Sequence, residues 1–179
     1  MYSTIINNNS LLSNIVLRIF FVNCIILAVF LAGCYSFTGG NVPDYLKDLY
    51  IATVNDNSGY GNPSYRSTLT ENLINKFKND SPFRLVERGG DARLEVAISS
   101  ISDQTTTVSP GELETERKIN VNCEAIYYDR VKNKEIWKKS FSNAQMYELA
   151  GAQTARDAAV NLALNQISDD ILLAVVSGW

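Results

Sequence analysis

Three thiols in this 179-residue chain could do covalent chemistry, Cys24, Cys34 and Cys123, and their settings differ. Cys34 directly follows Leu31-Ala32-Gly33, at the end of an apolar run from Ile19 to Leu31 that also contains Cys24. Small residues after a short apolar segment mark the cleavage site of a secretory signal. Cys34 then becomes the first residue of the mature chain, with its sulfur free to be modified. Cys123 lies in Ile119-Asn120-Val121-Asn122-Cys123-Glu124-Ala125, on one strand face with Ile119, Val121 and Ala125, where a thiol serves as inert packing. The chain has no histidine, which removes the commonest general base and metal ligand. Zinc would need carboxylates alone, and none cluster at a ligand spacing. Asp169-Asp170, on a helix, and Glu112, Glu114 and Glu116, near a turn, read as solvated surface. No catalytic residue, metal site or cofactor is expected.

Leu31-Ala32-Gly33-Cys34 resembles the bacterial lipobox. In that motif signal peptidase II cuts before a cysteine whose sulfur already carries a diacylglycerol. A membrane span fits less well. It needs about 20 apolar residues, and the run from Ile19 is shorter, contains Asn23, follows Arg18 and is succeeded by Gly39, Gly40 and Pro43. The expected organisation is therefore a removed signal over 1–33, a lipidated N-terminus and tether over 34–45, and one domain over 46–179. The leader over 1–17 is uncharged, Asn-rich and longer than a usual n-region.

Residues 34–179 hold all 19 acidic and 15 of the 16 basic residues, a net charge of 15 − 19 = −4. Nucleic-acid binding rests on phosphate neutralisation, so a mildly acidic domain argues against it. With Cys34 lipidated and Cys24 removed, Cys123 stands alone and no internal disulfide is expected.

The elements that must carry these residues follow from periodicity. Leu46–Val54 has apolar residues on both faces and reads as a central strand. After the turn-rich 55–62, Asn62-Pro63 supplies an N-cap and first helical residue. Tyr65, Leu69, Leu73 and Phe77, with Ile74 alongside, then form one buried helical stripe that ends before Pro82. Phe83–Glu87 reads as a short strand, with Gly89-Gly90 as a turn or as the point where it merges with its successor. Ala92–Ile101 alternates as a half-buried strand. The polar stretch 103–117 contains Ser109-Pro110-Gly111-Glu112, a type II turn. Strands Lys118–Tyr128 and Glu135–Ser142 follow, turning at Lys132-Asn133, with Trp137 and Phe141 on one face. Ala155, Ala159, Leu162, Ile167, Ile171 and Val175 form the stripe of a long final helix.

The order β-α-β-β-β-β-α implies an α+β two-layer sandwich, a mixed sheet of four to five strands with both helices on one face. Ile126, Tyr128 and Ile136 fall on the other face, which is expected to be half-apolar and to meet a partner.

Over Cys34–Trp179 the chain resembles the LptE-type lipopolysaccharide-assembly lipoproteins of the Bacteroidetes–Chlorobi kind. The carriers are Cys34-Tyr35-Ser36-Phe37-Thr38-Gly39, Asn57-Ser58-Gly59 before Leu69–Phe77, and Phe83-Arg84-Leu85-Val86 with Asp91-Ala92. Trp137 with Phe141-Ser142, and Ile171-Leu172-Leu173 with Val176-Ser177-Gly178-Trp179, complete the set. Tyr35 departs from the glycine common after the lipidated cysteine. The resemblance implies a non-enzymatic lipoprotein on the periplasmic face of the outer membrane. It would act as plug and chaperone of the large LptD-type barrel that delivers lipopolysaccharide to the surface. Tyr35 is also not the aspartate that retains lipoproteins in the inner membrane of enteric bacteria. A second resemblance, confined to 46–88, is to the domain of curli-secretion lipoproteins and lipoprotein activators of cell-wall synthases.

Arg130-Val131-Lys132-Asn133-Lys134, with Lys138 and Lys139, gathers four Lys and one Arg within ten residues of an acidic domain. Lysines at a hairpin tip blunt edge strands against aggregation. Under the resemblance, Arg130, Lys132 and Lys134 become candidate contacts for lipopolysaccharide phosphates or acidic sugars.

Overall fold

Alternation along three long strands sets the architecture. In the computed structural model, which describes residues 42–106 and 115–177, these are β4 (Ala92–Thr105), β5 (Glu116–Asp129) and β6 (Lys134–Glu148). Before them come β1 (Asp48–Ile51), β2 (Asn55–Asp56), α1 (Ser64–Asp80) and β3 (Arg84–Leu85); α2 (Ala152–Val176) closes the chain after a single 3-10 turn. One mixed sheet runs β3-β1-β4-β5-β6, with β2 beside β4. Strands β3, β1 and β4 are mutually parallel neighbours, whereas β4, β5 and β6 form an antiparallel meander. The expected α+β sandwich is thus observed, with the two-residue β2 and β3 raising the strand number to six.

On β5 every second residue from Ile119 to Tyr127 is buried, and these side chains join one core with both helices. The α1 stripe of Tyr65, Leu69, Leu73 and Phe77 is fully enclosed, while Ile74 stays exposed. Pro63 already has helical angles (φ −67°, ψ −16°), and the Ser64 amide donates to Asn62 Oδ1 at 3.1 Å, so the start of α1 is as expected. The α2 stripe differs from the sequence reading. Its buried row is Ala159, Val160, Ala163, Leu164, Ile167, Ile171, Leu172 and Val175, and Leu162 is 60% exposed. Strict steps of four keep a two-residue-wide row on the sheet, and the three-residue step from Ala159 to Leu162 leaves it.

Phe83–Glu87 does not merge with the next strand, because β3 and β4 lie on opposite sides of β1. Between them Gly89 and Gly90 take φ of +77° and +79°. A Cβ on Gly90 would meet the Asp48 carbonyl oxygen and Val86 Cγ2 at 3.1 Å, so only glycine fits. Asp91 closes the same junction, accepting from the Lys47 and Asp48 amides at 3.0 and 3.1 Å. Arg84 makes a bidentate pair with Asp48 across β1 and β3, at 2.8 and 2.7 Å.

The meander is longer than expected. β4 runs on through Asp103, Gln104 and Thr105, and β6 continues past Ser142 to Glu148. These ends carry polar side chains on both faces, so no alternation marks them as strand. The turn Ser109–Glu112 lies outside the described residues. Bulges fall at Ser99, between Ile98 and Ser100 of β4, and at Ile136, where Tyr127 faces Trp137 but Tyr128 faces Glu135.

Asp129 ends β5 and shapes the turn into β6. Its Oδ1 accepts from the Lys132 amide at 2.8 Å and its Oδ2 from the Tyr45 hydroxyl at 2.5 Å, and Asn133 turns the chain with φ +49°. Desolvation raises this carboxyl, but the hydrogen bonds from Tyr45 and Lys132 and the Lys132 charge outweigh it and hold it below the usual carboxylate range.

Two expectations follow. Leu73→Asp buries an unpaired charge and should cost several kcal/mol, lowering the thermal midpoint by about 10–20 °C. Leu162→Asp, at an exposed position, should stay within about 0.5 kcal/mol of wild type. An unchanged midpoint for Leu73→Asp would show that α1 does not pack on the sheet. Because the folded Asp129 pKa is depressed, its contribution is present above the unfolded value of about 3.9 and lost as pH falls through the folded value. Asp129→Asn should therefore be less stable than wild type at pH 7, with the gap closing towards pH 2.5 in urea-denaturation midpoints.

Candidate functional site

The hairpin end of the sheet gathers the chemistry. Tyr127 and Asp129 of β5, Trp137 and Ile136 of β6, Lys132 and Lys134 of the turn, and Val42, Pro43 and Tyr45 from the N-terminal side line a cavity of about 290 Å³. Val175 near the end of α2 supplies a further apolar side. Alternation puts Tyr127 and Asp129 on the core side, so Asp129 is a carboxylate at a position that would otherwise take an apolar residue, only 3% exposed. The Tyr127 and Trp137 rings lie 5.7 Å apart at 45°, and Trp137 meets Phe141 edge-on at 6.1 Å.

Charges frame these rings. Lys132 Nζ stands 4.4 Å from the Tyr45 ring centroid and Lys139 Nζ 5.3 Å from that of Trp137. Deep in the wall, the Tyr127 hydroxyl and the Trp137 Nε1–H have no hydrogen-bond partner among the described residues. Burial pushes the Tyr127 phenol up, with the Asp129 charge adding to it, so it stays a neutral O–H.

The structure thus divides the basic hairpin. Arg130, Lys132 and Lys134 are all exposed, but Lys132 and Lys134 line the cavity and Arg130 does not. Lys138 is paired with Glu124 at 2.8 Å on the other face. The lipobox Leu31, Ala32 and Gly33, and Cys34 itself, lie outside the described residues.

A second polar cluster closes the other end of the core. Tyr147 donates to Asp103 at 2.6 Å, Tyr65 to Asp157, and the Arg156 guanidinium lies 5.7 Å from the Tyr60 ring. Asp169 is held by Lys76, a helix-to-helix bridge. Cys123 is fully enclosed, and burial pushes its thiol up to about 12, so it is no nucleophile. Among the described residues no group of three or more His, Cys, Asp or Glu could hold a metal.

The open sheet face is more polar than expected. Ser100, Ser102 and Gln104 of β4, Asn120 and Asn122 of β5, and Ser142 of β6 form its middle, with Asn122 Nδ2 donating to Ser100 Oγ at 2.9 Å. Ile126 and Tyr128 are half-buried there, but Ile136, displaced by the bulge, lines the cavity beside Tyr127 and Trp137. By length and apolarity α2 could cross a bilayer, yet its apolar row is buried against the sheet.

Sequence reasoning marked the lysines by their charge density but missed Tyr45, placed in the tether, and Asp129. The available signal was Asp129's parity with Ile119–Tyr127, which puts a carboxylate on the buried face.

Solved structures share this architecture. Rare lipoprotein B from Shewanella oneidensis is similar at 16% identity and TM-score 0.51, covering 73% of this chain and 95% of that one. Lipoprotein B from Nitrosomonas europaea is 12% identical, with TM-score 0.52 over 82% of this chain and 94% of that one. A minor lipoprotein from Acinetobacter baumannii is 12% identical, with TM-score 0.51 over 74% and 94%. At such identities the likeness is one of fold. No curated protein matches the chain. The family model for LptE, lipopolysaccharide-assembly, matches residues 46–175, from the turn before β1 almost to the end of α2. The chain belongs to the LptE lipopolysaccharide-assembly family.

Proposed function

We propose that this protein is an outer-membrane lipoprotein, anchored through Cys34 on the periplasmic face, that assists lipopolysaccharide assembly as plug and chaperone of an LptD-type β-barrel. The observation that carries the reading is the family match over the whole folded domain. A compact two-layer domain whose one buried cysteine is inert suits a part that binds rather than catalyses. The alternative, a curli-secretion or cell-wall-synthase-activator lipoprotein, rests on residues 46–88 alone. Arg130, Lys132 and Lys134 project from the hairpin as the candidate contacts for lipopolysaccharide.

The anchor is tested by intact mass. Two or more acyl chains hold a protein stably on a membrane, at about 0.8 kcal/mol per buried CH₂, where one chain does not. The purified protein should begin at Cys34 and carry a di- or triacyl adduct, and Cys34→Ala should accumulate as uncleaved precursor. An unmodified Cys34 would remove the anchor.

The partner is tested by crosslinking in the native envelope, affinity purification and mass spectrometry. An LptD-type barrel should be recovered, and depletion should lower surface lipopolysaccharide. Recovery of a murein synthase without a barrel would favour the alternative. In a lipopolysaccharide titration, changing Arg130, Lys132 and Lys134 together to Ser should weaken binding roughly tenfold, and added salt should weaken wild-type binding, since screening acts over about 8–10 Å. Equal affinities would leave the hairpin as ordinary surface.

A further inference from the structure

β6 ends the sheet on one side, and no described strand pairs with its outer edge. The Leu149 amide donates to the Thr115 carbonyl at 2.9 Å, in register with the pair of Tyr147 and Arg117. In an antiparallel ladder this turns the odd-numbered backbone groups of β6 towards β5 and the even-numbered ones outwards. From Lys138 to Glu148 the even residues therefore present N–H and C=O groups along a free edge.

Such an edge templates pairing with another strand unless charge, proline or a bulge blunts it. Only half of β6 is blunted. The hairpin half carries the bulge at Ile136 together with Lys134, Lys138 and Lys139. From Ser140 to Tyr147 the strand has no charge, proline, glycine or bulge. Phe141, Asn143 and Gln145 are only half-buried on the core side, and Met146 is 51% exposed on the other.

Charge selects the occupant. If the β6 of a second copy lies antiparallel about a two-fold axis at Asn143, Lys138 meets Glu148, Ser140 meets Met146 and Ser142 meets Ala144. These are the residues whose backbone groups point outwards, so hydrogen-bond parity and side-chain face agree. Within the chain Glu148 stands opposite Glu116, with Lys118 only at the diagonal, and like charges so placed oppose each other. Lys138 of the copy brings a cation there. Its own bridge to Glu124 leaves that side chain 50% exposed, with further N–H donors to offer. On the axis Asn143 faces itself, where an amide both donates and accepts and a charge would repel its image. An axis at Ser142 would set Glu148 against the bulged Ile136, and one at Ala144 would set it against Ser140.

We infer that two copies of this chain pair β6 with β6, antiparallel about Asn143, into one continuous sheet. A copy paired in this way has no free edge on β6 for any other strand.

The test is sedimentation velocity of the full-length chain in a density-matched nonionic detergent, where wild type should show a monomer–dimer equilibrium. Lys138→Glu sets Glu against Glu148, and Glu148→Lys sets Lys against Lys138. Each variant alone should dimerise about tenfold more weakly than wild type. Mixed in equal amounts the two should recover the dimer, because each then meets the opposite charge at both ends. At the axis a non-hydrogen-bonded pair has Cα atoms about 4.5 Å apart, within disulfide reach. Asn143→Cys should therefore crosslink on mild oxidation, whereas Ser140→Cys, about 20 Å from its copy, should not. Wild type that stays monomeric at every concentration would overturn the pairing. Both charge variants keep the proposed anchor, so dimers that persist unchanged in them would trace to lipids sharing a micelle and overturn the edge as well. Failure of the mixture to recover, or equal crosslinking at 140 and 143, would overturn the register. Recovery of a barrel, or its absence, leaves these readouts unaffected.

Discussion

The inward row of β5 is the constraint on which the rest depends. Ile119, Val121, Cys123, Ala125 and Tyr127 present one apolar line in the middle of the meander, and a sheet with such a face must be covered. Both helices answer to it. α1 delivers a narrow stripe of large side chains, and α2 delivers a wider row in which Ala159 and Ala163 alternate with Val160 and Leu164 before Ile167, Ile171, Leu172 and Val175. Each side chain on that line is flanked by a core-facing residue of β4 and another of β6. A one-residue slip would turn the whole row to water, so register and core are one decision.

Where the physics was local, the sequence showed it. The α1 stripe recurs every four residues and is bounded by Asn62-Pro63 and Pro82, signals that need no tertiary context. The α+β order and the face of Cys123 followed in the same way. Leu162 was misread because apolarity alone does not say which of two helical rows meets the sheet; that is set by the strands beneath. The ends of β4 and β6 were misread because solvent lies on one side and a polar cluster on the other, leaving no alternation to see. Asp103 and Tyr147 are held in strands by pairing with β5, at Ile119 and Arg117, and their side chains meet although 44 positions apart in the chain.

The hairpin shows the same division at the level of chemistry. Its cations are legible as composition, a basic run in an acidic domain. Their setting is not, since Lys132 is placed by Tyr45 and by Asp129, the first of them 84 residues before the carboxylate it binds. Family membership says in which process such a domain takes part.

The place of β1 between β3 and β4 has a consequence for the order in which the sheet is assembled. Synthesis from the N-terminus delivers β1 before any strand it pairs with. Its hydrogen-bonding partners lie 36 positions away in β3, as Asp48 with Arg84, and 43 away in β4, as Leu49 with Ala92. The β5–β6 hairpin, by contrast, closes over a turn of four residues, Arg130 to Asn133. Loop-closure entropy and contact order therefore favour the late-emerging meander as the first stable structure. The earliest strand to arrive waits, unpaired, until β3 and β4 have formed the slot it fills.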